Sequence, residues 1–234
     1  QPRSRGLGDV YKRQFIINAQ MSDNSTGTSA NGSRSVAMGS YTTASGDYST
    51  AMGQDSTASG ITSTAMGAGT NATGQRSTSM GNYTTASGSM SVAMGYKALA
   101  AGDRSVAMGT DTRASDLNSL VIGQYNSSGY SVTSADSFST SAPAFVIGNG
   151  TTSNARSDAF KVMFNGDTYV SSSLYLGGTA ITSTAAELNI LDGVTSTATE
   201  LNILDGVTST AAELNILDGV TSTAAALNLS LIHI

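Results

Sequence analysis

Few residues in this sequence have the types and spacing that catalysis or metal binding requires. The 234 residues include no Cys and a single His, His233, so they offer no thiol nucleophile, no disulfide and no paired-His zinc site. Gly-x-Ser-x-Gly and P-loop motifs are also missing. The aspartates of the Gly-rich region are too sparse for a nine-residue calcium-binding repeat. We therefore assign no catalytic, cofactor-binding or metal-binding residue and expect a protein that is not an enzyme.

The composition excludes further classes of function. The chain contains 37 Ser and 30 Thr, while 12% of its residues are charged and 6% are aromatic, so a large conventional core is not expected. A net charge of −5 without a basic stripe argues against nucleic-acid binding. No run of about 18 apolar residues exists, so we expect no membrane insertion. These exclusions favour a structural or binding protein.

A seven-residue glycine period dominates the first half of the chain. It runs from Gly32 to Gly109, skips Asp116 and returns at Gly123, and Ala stands two residues before nearly every glycine. The residue before glycine alternates between Met and a small residue, so the full unit has fourteen residues and two unlike halves. We predict positive φ angles and chain corners at these glycines, which are Gly39, Gly46, Gly53, Gly60, Gly67, Gly74, Gly81, Gly88, Gly95, Gly102 and Gly109.

This period predicts an all-β fold. A coiled coil needs large apolar residues and helix formers, which a Gly every seven residues opposes. Short Thr- and Val-rich strands stacked as a parallel β-roll, or β-solenoid, fit better. Because side chains alternate along a strand, we expect Ala to fill the interior and its neighbours to point outward. One outer face then carries a Met stripe, defined as Met38, Met52, Met66, Met80, Met94 and Met108.

The Met stripe predicts self-association. An apolar stripe along a whole solenoid is larger than a soluble monomer normally exposes, so we interpret it as a contact surface between copies of the chain. The alternative is a monomeric roll with Met inside and Ala outside, since Met adapts to irregular gaps.

The repeats resemble a known family. Segments 35–39, 91–95 and 105–109 read Ser-Val-Ala-Met-Gly, interleaved with Thr-Ala-Ser-Gly at 43–46 and 85–88. They resemble the head repeats of YadA-like trimeric autotransporter adhesins, although those often carry Ile where this chain has Met. The resemblance implies a left-handed parallel β-roll of 14-residue coils assembled as a homotrimer. It also implies adhesion at the bacterial cell surface, outer membrane-associated, through an unknown host-cell, matrix or other surface receptor.

The middle of the chain predicts a hairpin. Within the loop-rich region 124–182, residues 124–158 are rich in Ser, Gly and Asn and break the seven-residue period, although 144–148 predict a short strand. Strands at 160–164 and 167–170 flank Asn165-Gly166, which predicts a two-residue type I′ turn. Such a turn would place Val162 opposite Tyr169.

A thirteen-residue repeat occupies residues 183–228. Thr184 and Glu187 have capping-box spacing, repeated in the next two units, so each unit predicts a helix of about two turns. Such short helices need a neighbour for Leu188 and Leu191; the alternative is a flexible, partly ordered spacer. These repeats resemble those of phage tail-fibre proteins. The alternative function is therefore that of a phage tail-fibre shaft, which is a virion structural or receptor-binding protein. A third alternative is the stalk of a secreted enzyme.

The two ends differ in composition from the rest. Residues 1–14 and 229–234 resemble translated sequencing adapter, and 15–31 form a lead-in that contains a possible signal-peptide remnant. The predicted organisation is thus a head β-roll at 32–123, the hairpin region at 124–182 and the thirteen-residue repeats at 183–228. The leading prediction is a non-enzymatic homotrimeric surface fibre fragment that mediates adhesion.

Overall fold

The structure, a computed structural model, describes residues 27–190, 192, 194 and 196–199. The chain divides into two compact units, Gln1–Ile181 and Thr182–Ile234. The predicted adapter segments and most of the thirteen-residue repeats lie outside the described residues. In the first unit, the described part is built from β-strands.

Two stacks of parallel strands alternate along the chain. The long strands are β2 (Val36–Ser40), β4 (Thr50–Gln54), β6 (Thr64–Ala68), β8 (Thr78–Asn82), β10 (Val92–Tyr96), β12 (Val106–Thr110) and β14 (Leu120–Gln124). The short strands are β1 (Ser29–Ala30), β3 (Thr43–Ala44), β5 (Thr57–Ala58), β7 (Asn71–Ala72), β9 (Thr85–Ala86), β11 (Leu99–Ala100) and β13 (Arg113–Ala114). Each pairs with the equivalent strand fourteen residues away, so Met52 lies beside Met38 and Met66. The predicted all-β solenoid is confirmed, with about seven coils of fourteen residues.

The Ala positions form the interior of the solenoid. Ala37, Ala51 and Ala65 of the long strands are fully buried, as are Ala44 and Ala58 of the short strands. The two stacks therefore approach each other across methyl groups, as the alternation of side chains predicts. This burial excludes the alternative roll with Met inside and Ala outside.

Hydroxyl groups share the interior, which the expectation of an Ala-filled core did not include. A Ser or Thr three residues after most of the glycines is also buried, and these residues include Ser35, Thr42, Ser49, Ser56, Ser63, Thr70, Ser77, Thr84, Ser91, Ser105, Thr112 and Ser119. Some of these hydroxyl groups are hydrogen-bonded. The Thr70 hydroxyl donates to the Ser56 hydroxyl over 2.9 Å, and the Thr84 hydroxyl lies 2.8 Å from that of Ser79, which occupies an interior Ala position. Others, including that of Thr112, have no protein partner among the described residues. The high Ser and Thr content is thus partly a property of the core.

The glycines are required by the close approach of successive coils. A Cβ atom at Gly60 would lie less than 3.0 Å from the carbonyl oxygen of Gly74, and one at Gly67 would meet Gly81 in the same way. Gly67 also has a φ of 134°, whereas the φ of Gly60 is not positive. The structure thus differs from the expectation of positive φ at every glycine, because only those of the long strands need it.

The left-handed corners lie two residues beyond the glycines. Non-glycine residues with φ angles near 55° recur there, and they include Arg34, Tyr41, Tyr48, Asp55, Thr62, Arg76, Tyr83, Met90, Lys97, Arg104, Asp111, Asn118 and Tyr125. Their backbone N–H groups bond to the preceding coil, as from Tyr48 to the Ser33 carbonyl over 2.8 Å. This ladder between coils holds a conformation that such residues otherwise disfavour.

Asp116 occurs where the stack of short strands ends. It can take the place of a glycine because a loop, not a further short strand, follows β14 and lies against it. The buried Asp116 carboxylate accepts hydrogen bonds from the N–H groups of Thr133 and Ser134 in that loop, at 2.6 and 2.7 Å. The long-strand stack continues instead, since β15 (Pro143–Asn149) pairs in parallel with β14, with Val146 beside Val121. Antiparallel strands β16 (Asp158–Met163) and β17 (Thr168–Val170) complete a ten-stranded sheet. The strand predicted at 144–148 is confirmed.

The hairpin forms, but its predicted register is wrong. Val162 pairs with Thr168 and Lys161 with Tyr169, so Val162 is not opposite Tyr169. The loop has three residues, 164–166, because the Gly166 N–H bonds to the Met163 carbonyl and the Met163 N–H bonds to the Asp167 carbonyl. Gly166 alone takes a positive φ, 94°, while a type I′ turn would need Asn165 there as well.

The described part of the second unit contains a short helix near its start. Helix α1 (Ala185–Ile190) begins with the predicted capping box: the Glu187 N–H donates to the Thr184 hydroxyl over 3.2 Å, and the Thr184 N–H donates to the Glu187 carboxylate over 2.7 Å. The hydrogen bonds from Thr184 lower the pKa of the Glu187 carboxyl. Leu188 is exposed and Leu191 lies outside the described residues, so a helical form of the whole repeat stays a prediction.

Two short strands, β18 (Tyr175–Leu176) and β19 (Thr179–Ala180), precede that unit and form a small antiparallel pair.

Replacing Gly60 by Ala tests the close-approach requirement. We expect Gly60→Ala to lower the free energy of unfolding by more than about 3 kcal/mol, because the new methyl group overlaps backbone that cannot move without separating two coils. The measurement is urea unfolding followed by circular dichroism. Gly166→Ala is the control, since its Cβ meets nothing within 4 Å and only its positive φ is strained. An equal effect of both substitutions would contradict the account.

A second pair of variants tests the buried hydroxyls. Thr84→Val is expected to cost about 1–3 kcal/mol, because it leaves the buried Ser79 hydroxyl without its partner. Thr112→Val removes a buried hydroxyl that has no partner, and we expect its free energy of unfolding to stay unchanged or rise. Both changes keep the side-chain shape and lie at equivalent positions. If Thr112→Val destabilises the protein as much as Thr84→Val, the assignment of partners is wrong.

Candidate functional site: an association face on the solenoid

The Met stripe forms a continuous ribbon on the outer face of the long-strand sheet. Equivalent Met residues pair in register from β2 to β12, and β14 continues the row with Ile122 beside Met108. Neighbouring strands lie about 4.8 Å apart, so adjacent Met side chains are within contact distance of each other. The stripe residues are half-buried in the single chain, except Met108, which is exposed.

A second row of side chains widens this face. The residue two positions before each Met is Val or Thr, also half-buried, and the members of this row are Val36, Thr50, Thr64, Thr78, Val92 and Val106. The fully buried residue between the two rows, usually Ala, points to the interior. We call the two rows together the Met/Val/Thr face.

The face of the short-strand sheet has a different chemistry. Its outward positions carry mostly hydroxyl groups, as in the half-buried Thr43 and Thr57 and the exposed Ser45 and Ser59. Hydroxyls hydrogen-bond to water, so this face needs no protein partner. The solenoid is therefore two-sided, with one apolar face and one polar face.

Most charged side chains in the repeats lie near the coil corners, and Arg113 lies on the short-strand sheet, so all of them are away from the Met/Val/Thr face. Arg34 lies over the ring of Tyr48 in the next coil, and the Arg104 guanidinium donates to Asn118 over 2.9 Å. Asp47 and Asp103 each accept a backbone N–H from the preceding coil over 2.8 Å. These contacts between coils leave the Met/Val/Thr face uncharged, and an uncharged face is the simplest to desolvate.

The predicted glycines fall into two structural groups. The first group lies within the long strands next to the Met stripe, and its members are Gly39, Gly53, Gly67, Gly81, Gly95 and Gly109. The second follows the short strands and is buried, with members Gly46, Gly60, Gly74, Gly88 and Gly102. Both groups keep the coils at the spacing that brings the Met residues into a row.

Neither metal chemistry nor a membrane-spanning helix is apparent in the part of the chain that the structure describes. Those residues contain no group of three or more His, Cys, Asp or Glu side chains placed to hold a metal ion. None of their helices is long and apolar enough to cross a membrane. The feature that sequence reasoning missed is a cluster of Arg113, Arg156 and Tyr130 near the end of the solenoid, assembled across 43 residues of chain by the loop after β14.

Together, the fold and the two-sided surface define a repeat protein, a β-solenoid with one apolar and one polar sheet face. A family model described as the YadA head domain repeat matches residues 30–56, 58–84, 86–112 and 100–126. The solenoid therefore consists of YadA head domain repeats, as the sequence resemblance indicated. No curated protein sequence matches the chain.

Proposed function

We propose that this chain is part of a homotrimeric surface fibre and that its solenoid is an adhesin head. The observation that carries the proposal is the uncharged Met/Val/Thr face, which extends over all the long strands from β2 to β12. Two further copies of the same chain are the partners, since a repeated face of constant chemistry is self-complementary. The presence of YadA head domain repeats supports the same assembly and a location on the bacterial cell surface.

The length of the face determines whether association is favourable. Burying the exposed part of one Met side chain contributes on the order of 1 kcal/mol. Association costs about 4–15 kcal/mol in lost translational and rotational freedom, so one coil could not hold two chains together. Several coils in register bring the total into that range. The repetition in the sequence therefore supplies the number of Met contacts that association requires.

Adhesion would follow from the polar surfaces that the trimer leaves exposed. Three chains present three copies of every surface site, and each chain repeats its hydroxyl-rich face in coil after coil. Individually weak contacts to a host-cell, matrix or other surface receptor then combine, because binding at one site raises the effective concentration at the next. This mechanism needs neither a catalytic residue nor a cofactor.

The oligomeric state of the chain tests the proposal. Light scattering coupled to size-exclusion chromatography should give about three times the chain mass of 23.6 kDa. Met66→Asp should yield a folded monomer, because a carboxylate in the contact would be buried without a partner. Ser59→Asp on the opposite face should remain trimeric. A folded wild-type monomer would overturn the trimer, and equal effects of the two substitutions would overturn the choice of face.

A further inference from the structure

Two hollows adjoin near the end of the solenoid, within the first unit. The first has a volume of about 430 Å³ and is lined by the loop 127–133 together with Ser141, Pro143, Arg156 and Met163. The second, of about 460 Å³, is lined by strands β16 and β17, by Arg156 and Ser157 just before β16, by Ser171 just after β17 and by Ser127. Ser127 and Arg156 line both hollows, so the two form neighbouring parts of one surface region. Each volume is in the range of small-molecule sites.

The first hollow is lined by free hydroxyl groups. The hydroxyl groups of six lining residues form no hydrogen bond with any other group in the described part of the protein. These residues are Ser127, Ser128, Tyr130, Ser131, Thr133 and Ser141. Each hydroxyl offers one donor and two acceptor positions. A ligand that itself carries many hydroxyl groups matches such a lining better than an apolar ligand or a purely anionic ligand does.

Arg156 is held rigidly between the two hollows. Its guanidinium donates to the Asp111 carboxylate over 2.7 Å and to the Asp111 carbonyl over 3.0 Å, and it lies 4.6 Å from the ring centre of Tyr130. Arg113 lies 4.5 Å from the same ring centre and 3.8 Å from the same carboxylate. Two guanidinium groups therefore share one carboxylate next to the hollows, which leaves positive charge there.

The second hollow contains an unpaired ammonium group. The Lys161 Nζ atom lies 4.4 Å from the ring centre of Tyr169, and no carboxylate in the described part of the chain pairs with it. The Asp158 carboxylate also lines this hollow, where hydrogen bonds from the N–H groups of Ser127 and Ser128, at 2.8 and 2.9 Å, hold it against the loop. Three basic side chains, Arg113, Arg156 and Lys161, against two carboxylates, Asp111 and Asp158, leave one net formal positive charge at the two hollows. Three of the seven basic residues in the described segment 27–190 are thus gathered at this region of an acidic protein.

We propose that the two hollows bind adjacent units of an acidic oligosaccharide. The sugar hydroxyls of one unit exchange hydrogen bonds with the Ser, Thr and Tyr hydroxyls of the first hollow, and the carboxylate of the next unit pairs with Lys161. This inference names a ligand class for the adhesive function proposed above and rests on it for its biological meaning. Binding itself is measurable without reference to the oligomeric state.

The test compares two trisaccharides on the intact chain by isothermal titration calorimetry. Trigalacturonate should bind, and its neutral counterpart galactotriose should bind at least tenfold more weakly, because only the former supplies carboxylates. Lys161→Gln should weaken trigalacturonate binding about tenfold, the loss expected for one charge-assisted hydrogen bond. Lys97→Gln is the matched control: Lys97 likewise lies beside a Tyr ring, that of Tyr96, but outside both hollows. It should leave the affinity unchanged.

Ser131→Glu gives a second, independent variant. It places a carboxylate in the first hollow and should weaken trigalacturonate binding by repulsion, while the galactotriose affinity changes less. The proposal is overturned if the wild-type protein binds neither trisaccharide at millimolar concentration, or if the two Lys variants behave alike. It is also overturned if a poly-glutamate peptide binds as well as trigalacturonate. The trimer mass is measured on each sample, so that loss of binding in an intact trimer is distinguished from failure of the assembly.

Discussion

The contact between glycines of successive coils is the constraint on which the rest of the structure depends. At the glycines from Gly32 to Gly109, the space that a Cβ atom would occupy is filled by the backbone of the residue fourteen positions later, which is glycine except at Asp116. This contact fixes the register of every coil on the next. Register in turn stacks Ala on Ala inside and Met on Met outside, so the Met/Val/Thr face is a consequence of the glycine period. Where the short-strand stack ends, the constraint is lifted and Asp116 replaces glycine.

The close approach of the two sheets also determines where polar groups lie. A solenoid with an interior only two side chains thick has no room for large apolar residues, so Ala and small hydroxyl residues fill it. Burying a hydroxyl group without a hydrogen-bond partner costs free energy. At some positions the interior avoids this cost by pairing two hydroxyl groups, as in Ser79 with Thr84, and at other positions it does not. Most charge lies near the corners, where Arg34 contacts the next coil and Asp47 the preceding one. Both sheet faces are thereby left free for contacts with other molecules.

The repeat region could be predicted from the sequence because every coil obeys the same rule. Twelve glycines at one period determine the strand direction, the buried Ala and the outward Met without knowledge of long-range contacts. The corners were placed two residues too early, because the residues with left-handed φ are Tyr, Arg, Asp, Thr, Met, Lys and Asn, and of these types only Asp and Asn favour that conformation. The hairpin register was also off by one, since the N–H groups of Phe164 and Asn165 bond to the carbonyls of Ala142 and Thr140, a distant segment. The cluster around Arg156 joins residues far apart in sequence, so no spacing pattern indicated it.

The central claim is that the Met stripe faces the threefold axis of a trimer, and a distance between chains tests it most directly. Because the protein has no Cys, a single Cys introduced at position 66 or 59 can carry one spin label per chain. Double electron–electron resonance then measures the separation of equivalent labels in the assembly. The account predicts a short separation for labels at Met66 and a distinctly longer one for labels at Ser59. A longer separation at Met66 than at Ser59, or no dipolar coupling at either position, would contradict it.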